Sequence, residues 1–289
     1  MSDRHRELGE FLRRARARRS PDTAGLLPDS RIRRVPGLRR EEVALLAGVS
    51  TDYYTRLEQG RNITPSHQVL DALIRALDLD HAGSTYLRTL LQPGEVASGD
   101  ARPTVQRVRP GLHQLLSSFE SQPALILGRR TDILASNPLA RALFADFDSM
   151  PAKHRNYARW MFLDDAARAL FLDWSTQARN AVEALRFDAA DMPESTETQQ
   201  LVGELSLASP EFRRWWSAHK VHQRTHGTKR LNHPALGRLD VEFETLALPG
   251  DVSQVLYLYT AARGSSSHEA LTHLKDHMRS TFATAQTRA

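Results

Sequence analysis

At 289 residues the chain is longer than a typical domain and suits two, each with a core of its own. Its 40% hydrophobic and 25% charged composition excludes a disordered or fibrous chain, and the absence of cysteine excludes disulfides, thiolate metal sites and cysteine nucleophiles. The formal charge of +5 is concentrated: twelve arginines between Arg4 and Arg40 face only Glu7, Glu10, Asp22 and Asp29, which fits a nucleic-acid partner, a membrane surface or a solvated helix. No run of about 18 apolar residues occurs, and the start, MSDRHRELGEFLRRARARR, lacks the apolar stretch of a signal peptide. The expected location is the cytoplasm, with no membrane partner.

In chain order, Leu8, Phe11, Leu12 and Ala15 give residues 5–19 an amphipathic helical spacing. A loop over 20–38 follows, punctuated by Pro21, Gly25, Pro28, Pro36 and Gly37 and carrying Arg31, Arg33 and Arg34. Four short helical patterns come next, at 39–47, 51–59, 66–77 and 82–91, with Gly48, Gly60 and Asp80 at the joins and Ser50 and Asp80 as N-cap candidates. Within REEVALLAGVSTDYYTRLEQGR, residues 40–61, a glycine permits a left-handed turn between two helices. Val43, Leu46, Val49, Tyr54 and Leu57 fall where the pair needs its core, and Glu58 is placed to pair with Arg40. The stretch resembles the helix-turn-helix of phage repressors, the Cro/C1 or XRE type, which implies an all-α five-helix DNA-binding domain.

That resemblance implies that the second helix enters the major groove of double-stranded operator DNA. By motif position Thr51, Asp52, Tyr53 and Arg56 are the expected base-contacting residues. Arg56 suits a bidentate pair with guanine, Thr51 a thymine methyl or a base acceptor, and Asp52 the cytosine amino group. Arg40, Ser50, Gln59 and Arg61 are the expected phosphate contacts, which set register and affinity. Arg31, Arg33 and Arg34, on a loop longer than a minimal repressor domain carries, either follow phosphates or enter the minor groove, or belong to a solvated loop.

Residues 92–103, QPGEVASGDARP, read as a linker between a DNA-binding domain at 4–91 and a second domain at 104–289. Beyond it, a helical stretch over 158–186 alternates with strand-like runs at 124–128, 133–136, 238–246 and 254–259, which predicts an α+β domain on an antiparallel sheet. Leu271, Leu274, Met278 and Phe282 predict a last amphipathic helix. Asn137, before Pro138, reads as a helix N-cap or a turn residue.

The ordered motifs PALILGRRTDILASNPLARALF at 123–144, RNYARWMF at 155–162, FLDWSTQA at 171–178, LVGEL at 201–205, SPEFRRWWSAH at 209–219 and GTKRLNHPALGRLDVEFETL at 227–246 carry a narrower resemblance. The chain resembles the MmyB-like regulators over nearly its whole length. The resemblance implies a PAS-like ligand-binding domain and a small, apolar or fatty-acid-like effector. Trp160, Phe162, Trp174 and Trp215 either line an apolar cavity or fill a core. Arg155 and Asn156 either bind a carboxylate head group or pair internally with Asp164, Asp165 or Asp173.

His219, His222 and His226, at the spacing of one helical face, with His233 beyond, raise the alternative of a histidine metal site. No carboxylate stands close in sequence to complete it, and neither a G-x-S-x-G elbow nor a glycine-rich phosphate loop is present. No catalytic residue, metal or cofactor is expected. The expected protein is a homodimeric transcriptional regulator, because two-fold operators add a second half-site. The alternatives are a DNA-binding scaffold that senses no ligand and a DNA-tethered metal enzyme.

Overall fold

Apolar residues at three- and four-residue intervals from Leu8 to Leu91 fold into α1 (Asp3–Arg18), α2 (Arg40–Ala47), α3 (Thr51–Glu58), α4 (His67–Ala76) and α5 (His81–Leu91). The structure, a computed structural model, describes residues 3–26, 37–61, 63–91, 106–190, 195–248, 251 and 253–286, and side chains of the last helix as far as residue 278. Arg31, Arg33, Arg34 and the linker at 92–103 lie outside the described residues, as does the side chain of Phe282.

The rest of the chain forms α6 (Pro110–Ser118), β1 (Ala124–Leu127), β2 (Ile133–Ser136), α7 (Pro138–Leu143), α8 (Tyr157–Leu163), α9 (Asp165–Leu170), α10 (Trp174–Ala189), α11 (Thr196–Ala208), α12 (Pro210–Trp216), β3 (His226–His233), β4 (Gly237–Ala247), β5 (Val255–Thr260) and α13 (Ser266–Gln286). Two compact units result. The first comprises Met1–Ala101 with Arg186–Val202 and Arg213–Gln223, and the second comprises Arg102–Leu185, Gly203–Phe212 and Arg224–Ala289.

In the first unit Leu8, Phe11 and Leu12 of α1, Val43 and Ala44 of α2, Tyr54 and Leu57 of α3, Leu70 and Leu73 of α4 and Tyr86 and Leu87 of α5 share one core. Gly48 takes the left-handed conformation, φ 66° and ψ 32°, and its N–H donates to the last carbonyls of α2. Ser50 caps α3 by accepting from the Tyr53 N–H at 3.1 Å, and Asp80 accepts from the Gly83 N–H at 2.7 Å.

The second unit is built on an antiparallel sheet of order β2-β1-β5-β4-β3, the α+β, PAS-like layout expected. Ala124, Ile126, Ala135 and Leu256 share a small core with Leu116 of α6. Phe243 of β4 and Tyr257 and Tyr259 of β5 form a group of rings, with centroids about 6 Å apart. Asn137 caps α7, accepting from the Ala140 N–H at 2.9 Å.

Two expectations are corrected. Residues 158–186 are not one helix, because Asp164 leaves the helical conformation and caps α9, accepting from the Ala166 N–H at 2.8 Å. Phe171 is then extended and bridges to Leu231 of β3. Nor do His219, His222 and His226 share a helical face. Helix α12 ends at Trp216, His219 has φ 49°, and His226 opens a strand the sequence reading lacks.

Candidate functional site

Two short helices held by a tight turn leave the outer face of α3 to solvent. Thr51, Asp52 and Arg56 are exposed on it, and none has a side-chain hydrogen bond or ion pair among the described residues. Tyr53 is half-buried against the first unit's core. Ser50 and Gln59 cap the two ends of α3, and Arg61 is exposed just beyond it. A shallow recess lined by Glu41, Leu45, Val49, Ser50 and Thr51 runs between α2 and the start of α3. Polar, uncommitted side chains on one helix face are what base-edge contact requires, since a donor already satisfied within the protein has nothing to give a base.

The rigidity of that face comes from a carboxylate. Glu58, at the end of α3, has no exposed side-chain surface and accepts from Arg16 of α1 at 2.8 and 3.0 Å and from Arg40 of α2 at 3.0 Å. Burial works against its charge, but the Arg16 and Arg40 guanidinium groups outweigh burial and keep its pKa below the ordinary value. Arg16 also donates to the Leu38 carbonyl at 2.7 Å, so three helices and the approach to α2 meet at one charge cluster. Arg40, placed by sequence at the phosphates, therefore serves this cluster while its side chain stays nearly half exposed.

A second cluster of the first unit escapes sequence reasoning altogether. Glu7 of α1 accepts from the Tyr86 hydroxyl at 2.6 Å and pairs with Arg186, and His219 Nδ1 lies 3.2 Å away. Arg186 is buried, donates to the Trp216 carbonyl and lies 4.0 Å over the Trp216 ring. Burial would raise the Glu7 pKa, but the His219 hydrogen bond and the Arg186 charge, helped by Tyr86, hold it down at about 2.

The residues read as ligand-binding are dispersed. Arg155 donates to the Met150 and Asp148 carbonyls, both at 2.8 Å. Asn156 is buried, caps α8 and donates to the Arg130 carbonyl and the Asp132 carboxylate. Both are thus engaged within the protein, though with partners other than Asp164, Asp165 or Asp173. Trp160 packs with Phe144, Phe147, Tyr157 and Phe171, whereas Phe162 packs with Trp174 and Phe212. Trp174 Nε1 donates to the Met161 carbonyl at 3.0 Å. Trp215 belongs to the first unit, not to the second unit that holds the other five residues.

Beside the Trp160 rings stands a residue that composition and motif leave unmarked. The alternation of β3 turns Lys229, Leu231 and His233 inward. The Lys229 ammonium is buried, donates to the Tyr157 hydroxyl at 3.2 Å and Gln177 Oε1 at 3.1 Å, and faces the Tyr157, Phe171 and Phe243 rings at 5.1–5.6 Å. Its pKa falls to about 7, chiefly by burial and then by the Arg224 charge, against a weaker pull from Asp173. His233 is engaged with the Ala142 carbonyl and the Ala235 and Leu236 N–H groups. Among the described residues no group of three or more His, Asp or Glu is placed to hold a metal ion, and no helix is long and apolar enough to cross a membrane.

Comparison with known families accords with this division of labour. A family model described as a helix-turn-helix domain matches residues 7–83, and one described as the MmyB-like transcription regulator ligand binding domain matches residues 108–274. No curated protein matches the chain. The second match spans more than half of the sequence and takes in the sheet and its aromatic group, as the first takes in α2 and α3. The chain belongs to the MmyB-like transcription regulators, DNA-binding proteins that pair a helix-turn-helix with a ligand-binding domain.

Proposed function

We propose that the protein binds specific operator DNA as a homodimer and that an apolar, fatty-acid-like effector in its ligand-binding domain alters that binding. The observation that carries the DNA reading is the exposed, uncommitted row of Thr51, Asp52 and Arg56 on α3. These residues, with Tyr53 beside them, read base edges, and Ser50, Gln59, Arg61 and Arg40 hold phosphates, joined by Arg31, Arg33 and Arg34. In sequence terms the proposed division is a DNA-binding domain at 4–91, a linker at 92–103 and a ligand-binding domain at 104–289. The protein works in the cytoplasm as a regulator and catalyses nothing. Its effector acts by binding two arrangements of the dimer unequally, only one of which fits the half-site spacing.

Selection of bound sequences from a random DNA library by the full-length chain, at fixed near-physiological salt, tests this reading. A two-fold site with half-sites about one helical turn apart, or a multiple of it, is expected. Arg56→Ala should relax the preference at one base pair of each half-site, a discrimination of about 1–3 kcal/mol, and leave the fold unchanged. Recovery of no motif, with binding that vanishes as salt rises, would favour a scaffold instead.

A further inference from the structure

Helix α1 meets two sets of neighbours on opposite faces. At about 100° per residue, His5, Gly9, Leu12 and Arg16 fall on one side of it and Asp3, Glu7 and Arg18 on the other. The first side lies against the end of α3 without slack. A Cβ at Gly9 would stand 2.6 Å from the Glu58 carbonyl oxygen and one at Gly60 2.3 Å from the His5 carbonyl oxygen, while Arg16 holds the Glu58 carboxylate. The second side is taken by segments far along the chain. Gln199 donates to the Asp3 carboxylate at 3.2 Å, and Arg18 donates to the Ala218 carbonyl at 3.4 Å. Between them Glu7 Oε1 accepts from Arg186 and from the Tyr86 hydroxyl at 2.6 Å, with His219 Nδ1 3.2 Å away. Apart from Tyr86 of α5, these partners lie within the stretch that the ligand-binding family model matches, 108–274, yet belong to the first unit. Arg186 is 1% exposed, and His219 takes a left-handed backbone, φ 49°, that is uncommon outside glycine.

We propose that Arg186, with His219, is a positioning residue for DNA recognition. The pair holds α1 through Glu7, and α1 holds α3 at the angle at which Thr51, Asp52 and Arg56 reach base edges. This rests on the DNA reading above and adds to it two residues, far outside the helix-turn-helix match at 7–83, that set the pose of the recognition helix. Its physical basis is the two-sided packing of α1. With Arg186 withdrawn, Glu7 loses its buried counter-charge on one face, and α1 is free to tilt. On the other face the backbone has no clearance from Glu58 and Gly60, so α3 moves with it. Base contacts weaken first, because hydrogen bonds to base edges demand distance and angle together. Phosphate contacts carry no sequence information, and binding to unrelated DNA changes less. A shift of α10 or α12 that withdraws the pair therefore lowers operator affinity without touching DNA.

The test uses the full-length protein, a duplex recovered by the selection described above and a scrambled duplex of the same composition, at fixed salt. Binding is measured at a temperature where near-ultraviolet circular dichroism shows each variant folded. We expect Arg186→Met to weaken binding to the selected duplex at least about fivefold and to the scrambled duplex by less. Arg186→Lys, which keeps the charge, should recover most of the loss. Glu7→Gln should give a similar loss, and the double variant no more than either alone. A folded Arg186→Met that binds the selected duplex as the unaltered protein does, or losses that add in the double variant, overturn the assignment and leave the cluster a structural role only. The unaltered protein gives an independent answer where the variants fold poorly. Coupling is reciprocal, so the selected duplex should slow hydrogen exchange of the Ser217, Ala218 and His219 amides, which donate to carbonyls of α12, at least about fivefold relative to the scrambled one. Unchanged exchange overturns the assignment while leaving the DNA reading in place. Recovery of no preferred sequence by the unaltered protein overturns the DNA reading and this assignment with it.

Discussion

Glu58 shows how one residue sets a surface it does not touch. It lies on the inner side of the helix whose outer side carries Arg56, and its two carboxylate oxygens fix α1 and α2 against α3. Replacing it by alanine leaves Arg16, whose side chain is only 13% exposed, without its counter-charge. We expect Glu58→Ala to cost about 3 kcal/mol in chemical denaturation and to weaken binding to all DNA sequences alike. The Arg40 half of this cluster is legible in the sequence, because the two residues sit on adjacent helices of a familiar motif. The Arg16 half is not, since in a run of arginines nothing distinguishes the one whose partner stands 42 positions away. Lys229 is hidden for a related reason. Between Thr228 and Arg230 a lysine reads as exposed until β4 pairs with its strand and fixes which side faces in.

At the scale of elements, glycines set how closely helices approach. Gly48 and Gly60 both have φ 66°, yet a Cβ at Gly48 would meet nothing within 4 Å, whereas one at Gly60 would lie 2.3 Å from the His5 carbonyl oxygen of α1. Gly48→Ala should therefore cost only the left-handed backbone strain, about 1 kcal/mol. Gly60→Ala should cost about 3 kcal/mol or more, because α1 must also move off α3. Comparison of the two melting curves checks the order. Caps are the local signals the sequence declares most openly: Ser50, Asp80 and Asn137 all accept the N–H bonds their positions predict. The breaks at Asp164 and Phe171 are less legible. The second depends on a bridge to Leu231, a contact that no window around 171 contains.

Over the whole molecule, Glu7 ties sequence-distant segments into the first unit. Its folded pKa of about 2 lies below the ordinary 4.5, so its contribution is complete above about pH 4.5 and is lost as pH falls toward 2. That contribution is about 3 kcal/mol. The melting temperature should fall across this interval, and Glu7→Gln should lower it at neutral pH while flattening its acid slope. The two-part organisation is legible from the change of texture along the chain, but the membership of residues 186–202 and 213–223 in the first unit is not. It rests on Arg186 and His219 meeting a glutamate about 180 and 210 residues earlier. This has a consequence for synthesis. A nascent chain emerging from the ribosome completes the core of α1–α5 within its first hundred residues, yet Glu7 stays without both Arg186 and His219 until translation has passed residue 219. The segment that reads DNA therefore reaches its final stability only after most of the sensing part has been made, so a prematurely terminated chain carries a weakened reading head.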